Sequence, residues 1–299
     1  MRTGNLIEVE YAYDSPVIGK MTYRGTLPQD KSFAGDLPVI AESDHFRFRS
    51  RDSRAYGKET LRELERAYSW LAENYAGAVR PDKSSHFEVG LWSGVGGAVA
   101  AGDTFGLDVY SAGKLVPNTC PEHGMGMLFN VFGHCYKAKF PYYHAREMGS
   151  GASQASLIAA YCLRANQGDR VFRQCRQLWS TRFFEHLLGR VSDSGFPDFD
   201  RHTFILFYLD ARYGLHINRD FFRAVYADEG NCAQLLATMD FLANDHERTA
   251  AVYSFLVGEN LAWLYRWARL PVAEASIDEA VIRFQELKAT PPPPWPATR

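Results

Sequence analysis

The chain has 299 residues, enough for one large or two medium domains with a full hydrophobic core. Its 33 Lys and Arg against 35 Asp and Glu leave a formal charge of -2, which provides no basic surface for nucleic acid or an anionic membrane. With 46% hydrophobic residues the composition is not that of a disordered chain, and no run approaches the ~18 apolar residues of a membrane-crossing helix.

In chain order, Ile7, Val9, Tyr11 and Tyr13 of LIEVEYAY share one face, the period-two signature of a half-buried strand, and MTYRG suggests a second. Residues 1–42 therefore read as a β-rich segment. The opening MRTGNLIEVEYAYDS has glutamates where a secretory leader would be apolar, so a cytoplasmic location is expected. A third strand fits HFRFR at 45–49, and KETLRELERAYSWLAENYAG then sets Leu61, Leu64, Tyr68, Leu71 and Tyr75 at helical spacing. Strands fit HFEVGLW and, after the glycine-rich SGVGGAVAAG, LDVYSAG, which makes residues 43–120 a sheet subdomain. The glycine run lacks the third glycine of a dinucleotide-binding turn, with Val99 in its place, and no GKS or GKT follows. It reads as a loop or strand edge. No GxSxG nucleophile elbow occurs.

From Glu122 the period becomes helical, in segments near 123–139, 151–166, 169–190, 201–213, 218–226, 231–242, 247–257, 259–269 and 276–288. Asp198, Asp200 and His202 read as helix-capping residues, and Glu259 with Asn260 as a helix opening after Gly258. Residues 121–290 form the helical part, and PPPPWPATR at 291–299 reads as an extended tail. The fold class expected is α+β: an N-terminal β-rich part with a twisted sheet and one long helix, followed by a mostly α-helical subdomain. Cys120, Cys135, Cys162, Cys175 and Cys232 are odd in number and form no CxxC pair, so reduced thiols are expected.

The segment from Pro121 to Met148 carries the most chemistry. Leu128, Val131, Phe132 and Cys135 build an apolar helix face, and Asn130 and His134, four residues apart, point the same way. HExxH helices present two zinc-binding imidazoles at this spacing, with the intervening glutamate as general base. The five residues here are NVFGH, which also suit a core helix with one satisfied histidine.

At these residues the chain resembles the gluzincin metallopeptidases, and within them the group of viral enhancins and mucin-degrading glycopeptidases. MGMLFNVFGHCY looks like the segment ending in the zinc helix, with NVFGH where HELGH would stand. EMGSGASQASLIAAYCL is similar to the helix that supplies the third-ligand glutamate. FILFYLDARYGLHINRDFFRAVY and TAAVYSFLVGENLAWLYRWARLPV resemble two later helical segments, and SDHFRFRS with its long helix resembles the domain entry. The likeness covers roughly residues 43 to 288 and implies a metallopeptidase-like helical subdomain.

The resemblance also implies that the essential groups have been replaced. Asn130 stands for the first zinc histidine, Val131 for the general base and Ala152 for the third ligand; only His134 is kept. Asparagine is a poor zinc ligand, valine moves no proton and alanine offers no donor, so zinc proteolysis is not expected, nor any cofactor. His123, His144, Glu122, Glu147, Cys120 and Cys135 lie nearby in sequence, but match no common zinc spacing; His134 and Cys135, adjacent on a helix, diverge by about 100°. The expected function is therefore binding of a small molecule or peptide in the former active-site cleft, or a metal-independent reaction on it. The candidate catalytic residues are Asn130, His134 and Glu147, and the candidate ligand-binding residues are His123, Tyr142, Tyr143 and His144. Two alternatives are an active metalloenzyme with non-standard ligands and a protein-interaction subunit. Neither nucleic acid nor membrane is expected as a partner.

Overall fold

The computed structural model describes residues 6–15, 19–28, 37–50, 57–92, 98–108, 125–140, 151–192, 195, 197–227 and 229–289. Strands β1 (Leu6–Ser15) and β2 (Gly19–Pro28) pair antiparallel along their whole length, from Leu6 opposite Pro28 to Ser15 opposite Gly19. A second sheet contains β3 (Val39–Glu42), β4 (Phe46–Ser50), β5 (Phe87–Trp92), β6 (Ala98–Ala101) and β7 (Thr104–Asp108), in the order β3-β4-β5-β7-β6. The central strands β4, β5 and β7 are parallel, whereas β3 and β6 run antiparallel at the two edges.

Alternation along β4 makes this sheet one-sided. Phe46 and Phe48 are buried on one face, while Arg47 and Arg49 on the other reach Glu42 and Glu88 through charge-assisted hydrogen bonds. The parallel step from β4 to β5 requires a crossover, supplied by α1 (Gly57–Asn74), whose Leu61, Leu64, Tyr68 and Leu71 are all buried, as their spacing predicts. Helix α2 (Met125–Lys137) shares the apolar face with α1: the ring of Phe46 lies 6.0 Å from Tyr68 and 5.4 Å from Phe132. Phe132 also meets Phe87 and Phe105, so four phenylalanines from three strands and α2 form the joint between sheet and helices.

The rest of the described chain is helical: α3 (Gly151–Gln167), α4 (Asp169–Leu187), α5 (Asp198–Tyr213), α6 (Leu215–Phe222), a π-helical turn at Arg223–Ala227, α7 (Glu229–Thr238), α8 (Asp245–Val257), α9 (Ala262–Trp267) and α10 (Glu274–Ala289). Helix α3 is buried from Ser153 to Leu163 and packs against α1, α2, α4 and α5. Buried polar groups pin this centre. Tyr161 donates to Asp210 at 2.7 Å, Tyr253 donates to Asn218 Oδ1 at 2.9 Å, and Asn218 Nδ2 donates to the Leu206 carbonyl at 3.1 Å. Together they tie α3, α5, α6 and α8.

The architecture is α+β, strands first and helices after. Some local expectations need correction. Strand β3 was not anticipated, and β7 begins at Thr104, ahead of the expected LDVYSAG, whose residues 109–113 lie outside the described residues. Asp198, Asp200 and His202 do not cap α5: Pro197 holds the N-cap position and no side chain caps it. Asn260 Oδ1 does accept from Ala262 N at the start of α9, but Glu259 turns instead to Arg212 and Tyr213. No helix among the described residues is long and apolar enough to cross a membrane.

Candidate functional site

Helix α2 is buried almost all round. Between Met125 and Lys137 only Met127, Asn130 and His134 are half-buried; the other ten are buried. Their spacing of three and four puts these residues on one stripe, so the predicted polar pair occupies the open side of an otherwise core helix.

That stripe meets α3 at a fixed register. Asn130 Nδ2 donates to Ser156 Oγ at 3.2 Å, Gly133 abuts Ala155, and Lys137 Nζ donates to the Gly151 carbonyl, so rising numbers on α2 meet falling numbers on α3. The helices are antiparallel. One turn forward from Asn130 and one turn back from Ser156, His134 stands level with Ala152, which is half-buried in the otherwise buried run from Gly151 to Leu163. Gly133 permits this approach: a Cβ there would come within 3.0 Å of the Ala155 carbonyl oxygen and 3.2 Å of its Cα.

The residues at this place do not fit a zinc ion. Asn130 presents an amide already bonded to Ser156, Val131 is buried and carries no base, and Ala152 has no donor atom. One imidazole remains. Cys135, on the next face, is no substitute, because burial pushes its thiol up to about 12 and its Sγ donates to the Thr104 carbonyl. What the arrangement presents on its half-buried side is an amide, an imidazole and the Met127 side chain, with the Ser156 hydroxyl buried behind the amide.

A residue that sequence reasoning passed over lies beside the pair. Lys137, one turn beyond His134, is only 2% exposed, and its ammonium reaches the first turn of α3. In KAKF it reads as the polar end of a helix, and only the return of α3 buries it.

The sheet contributes the second wall. Helix α2 packs on β6 and β7, and among the described residues the outer edge of β6 has no strand partner. Thus the end of the glycine-rich stretch is a sheet edge, one of the two readings its sequence allowed. The β6–β7 turn is held firmly. Gly102 takes φ +60°, and Asp103 accepts from the backbone N–H of Asp82 at 2.9 Å and of Lys83 at 2.8 Å, and from the buried Lys139 ammonium. Burial disfavours ionisation of Asp103, but these donors outweigh it and hold the carboxyl below its ordinary range.

Of the sequence-derived candidates, the structure brings Asn130 and His134 together; Glu147, His123, Tyr142, Tyr143 and His144, like Cys120, lie outside the described residues. Among the described residues no three or more His, Cys, Asp or Glu side chains are grouped to hold a metal ion. Compared with family models, with curated proteins and with solved structures, the chain shows no match to any of the three.

Proposed function

We propose that the protein is a metallopeptidase-like chain without zinc chemistry that binds an extended peptide between the β6 edge and the Asn130–His134 stripe. The observation that carries this reading is the Asn130–Ser156 register, which sets His134 level with Ala152, where the resemblance puts a ligand pair. Relative to the family pattern, Asn130, Val131 and Ala152 offer neither a metal site nor a base, and hydrogen-bonding groups lie beside an edge that has no strand partner among the described residues. Such an edge offers backbone N–H and C=O groups to an incoming strand, and the α2 stripe supplies side-chain contacts.

Fluorescence-polarisation titration with a panel of labelled extended peptides tests this. A peptide that binds should lose affinity about tenfold or more on His134→Ala or Asn130→Leu, a change of about 1.4 kcal/mol. N-methylating its residues one at a time should weaken binding at every second position, because alternate N–H groups of an added strand face β6. Binding that ignores both substitutions, or peptide cleavage detected by mass spectrometry, would overturn the reading.

A further inference from the structure

The contact between α2 and α3 uses only part of the Asn130 side chain. Asn130 Nδ2 donates to Ser156 Oγ at 3.2 Å, whereas Asn130 Oδ1 has no partner among the described residues. The residue is half-buried, so water satisfies this oxygen while the stripe stands open. A ligand that covers it with carbon strips that water and leaves an acceptor unpaired, a penalty that falls on the wrong ligand alone. Asn130 therefore asks the ligand for a donor. His134 makes no such demand, because a neutral imidazole both donates and accepts.

Spacing shows which part of a bound peptide supplies it. Asn130 and His134 stand about 6 Å apart along the helix axis, and alternate side chains of an extended peptide recur at about 6.8 Å. One face of the peptide thus matches both. Main-chain N–H groups of an added strand lie in the plane of the sheet, whereas α2 packs on the face of β6 and β7, so the donor belongs to a side chain. Met127 precedes Asn130 by about 4.5 Å on the same stripe, half-buried and packed against the core. A side chain that lies along its thioether and ends at the Asn130 oxygen needs an apolar stem and a donating tip. Lysine and arginine have that form, and neither carries a side-chain acceptor. Resting on the peptide-binding reading above, we infer that Asn130 makes the site selective for a peptide with lysine or arginine two residues from the side chain that meets His134.

Fluorescence-polarisation titration of the full chain tests this with labelled heptapeptides that carry lysine at each position in turn. Each is paired with versions bearing norleucine, the same stem without the ammonium, and glutamate. At one position lysine should bind about tenfold or more tighter than norleucine, and glutamate should bind more weakly than either. Asn130→Leu should erase that difference, whereas Asn130→Asp should widen it, since a charged acceptor makes the stronger bond. His134→Ala should weaken every peptide and leave the difference in place. Should Asn130→Leu fail to fold, Asn130→Ala takes its place. Peptides that bind without a lysine preference, or a preference that survives Asn130→Leu, would overturn the inference and leave the peptide-binding reading standing. Absence of binding by every peptide would overturn both.

Discussion

The α2–α3 pair and the joint between α5, α8 and α9 divide the chemistry of this molecule in an unexpected way. At the first, the half-open stripe holds Met127, a neutral amide and a single imidazole. At the second, His202 Nε2 and His246 Nδ1 share a hydrogen bond of 2.7 Å, His246 Nε2 lies 3.6 Å from Asp198 Oδ2, and the His202 ring stands edge-on to Tyr265 at 5.5 Å. That constellation has the look of an active site, yet its central imidazole is closed to solvent. His202 is buried, and burial, with the neighbouring His246 adding to it, pushes its imidazole down to about 3, too low to serve as a base near neutral pH. Grouped titratable side chains lie in a closed joint here, whereas the stripe we propose for a ligand is marked by half-exposure on an otherwise buried helix.

The comparison breaks most sharply at Gly133. In Gly133→Val the new Cβ would press on the Ala155 backbone and on Ile158 Cβ at 3.3 Å, neither of which is the end of a flexible chain. The helices must separate, which breaks the Asn130–Ser156 bond and moves His134 off Ala152. A loss of at least about 3 kcal/mol in urea-unfolding stability is expected, together with the loss of peptide binding. A stable variant with intact binding would show that the close approach does not build the site.

Local pattern carried much of this into view from sequence. The helical spacing of Leu61, Leu64, Tyr68, Leu71 and Tyr75 names the buried face of α1, and the four-residue interval of Asn130 and His134 names the open stripe of α2. Strand β3 escapes because four residues, VIAE, are too few to establish a period. In β7 Gly106 interrupts the β-branched and aromatic pattern that would have shown where the strand begins. The His202–His246 pair joins residues 44 apart, and no local rule links them. For the same reason Asp198 and Asp200 read as caps. Arg182 reaches Asp200 and His246 reaches Asp198 from other helices, although Asp198 also pairs with Arg201 one turn on in its own.

Acid titration should separate the two regions next. Between its folded value of about 3 and the ordinary 6.5, His202 refuses a proton that the unfolded chain accepts, so its contribution is complete above about pH 6.5 and is lost as pH falls toward 3. Asp200 acts in the opposite sense. Burial raises its carboxyl to about 6, against the pull of Arg182, so its contribution is present below about pH 4 and lost as pH rises through 6. His202 has the larger shift, but Asp200 offsets most of it in this window, so unfolding stability should fall by about 1 kcal/mol from pH 7 to pH 4. His202→Gln, which keeps a hydrogen bond to His246, should flatten that fall; Asp200→Asn should steepen it and raise stability at pH 7. A flat profile in the wild-type chain would refute the assignment of the joint.

The smallest effect on stability is expected at the stripe itself, and that is what makes it diagnostic. Asn130 and His134 are half-buried, and Asn130 has one hydrogen bond, at 3.2 Å, to a neutral hydroxyl. Asn130→Ala or His134→Ala should therefore cost about 1 kcal/mol or less in urea unfolding. Truncation at the joint behaves differently: His202→Ala leaves a cavity beside Tyr265 and takes the hydrogen-bond partner from His246, and should cost about 2 kcal/mol. A large loss at Asn130 or His134 would place the stripe with the joint, as side chains retained for packing. A small loss accompanied by tenfold weaker peptide binding assigns it to recognition, because only a group that touches the ligand can alter affinity while leaving the fold almost unchanged.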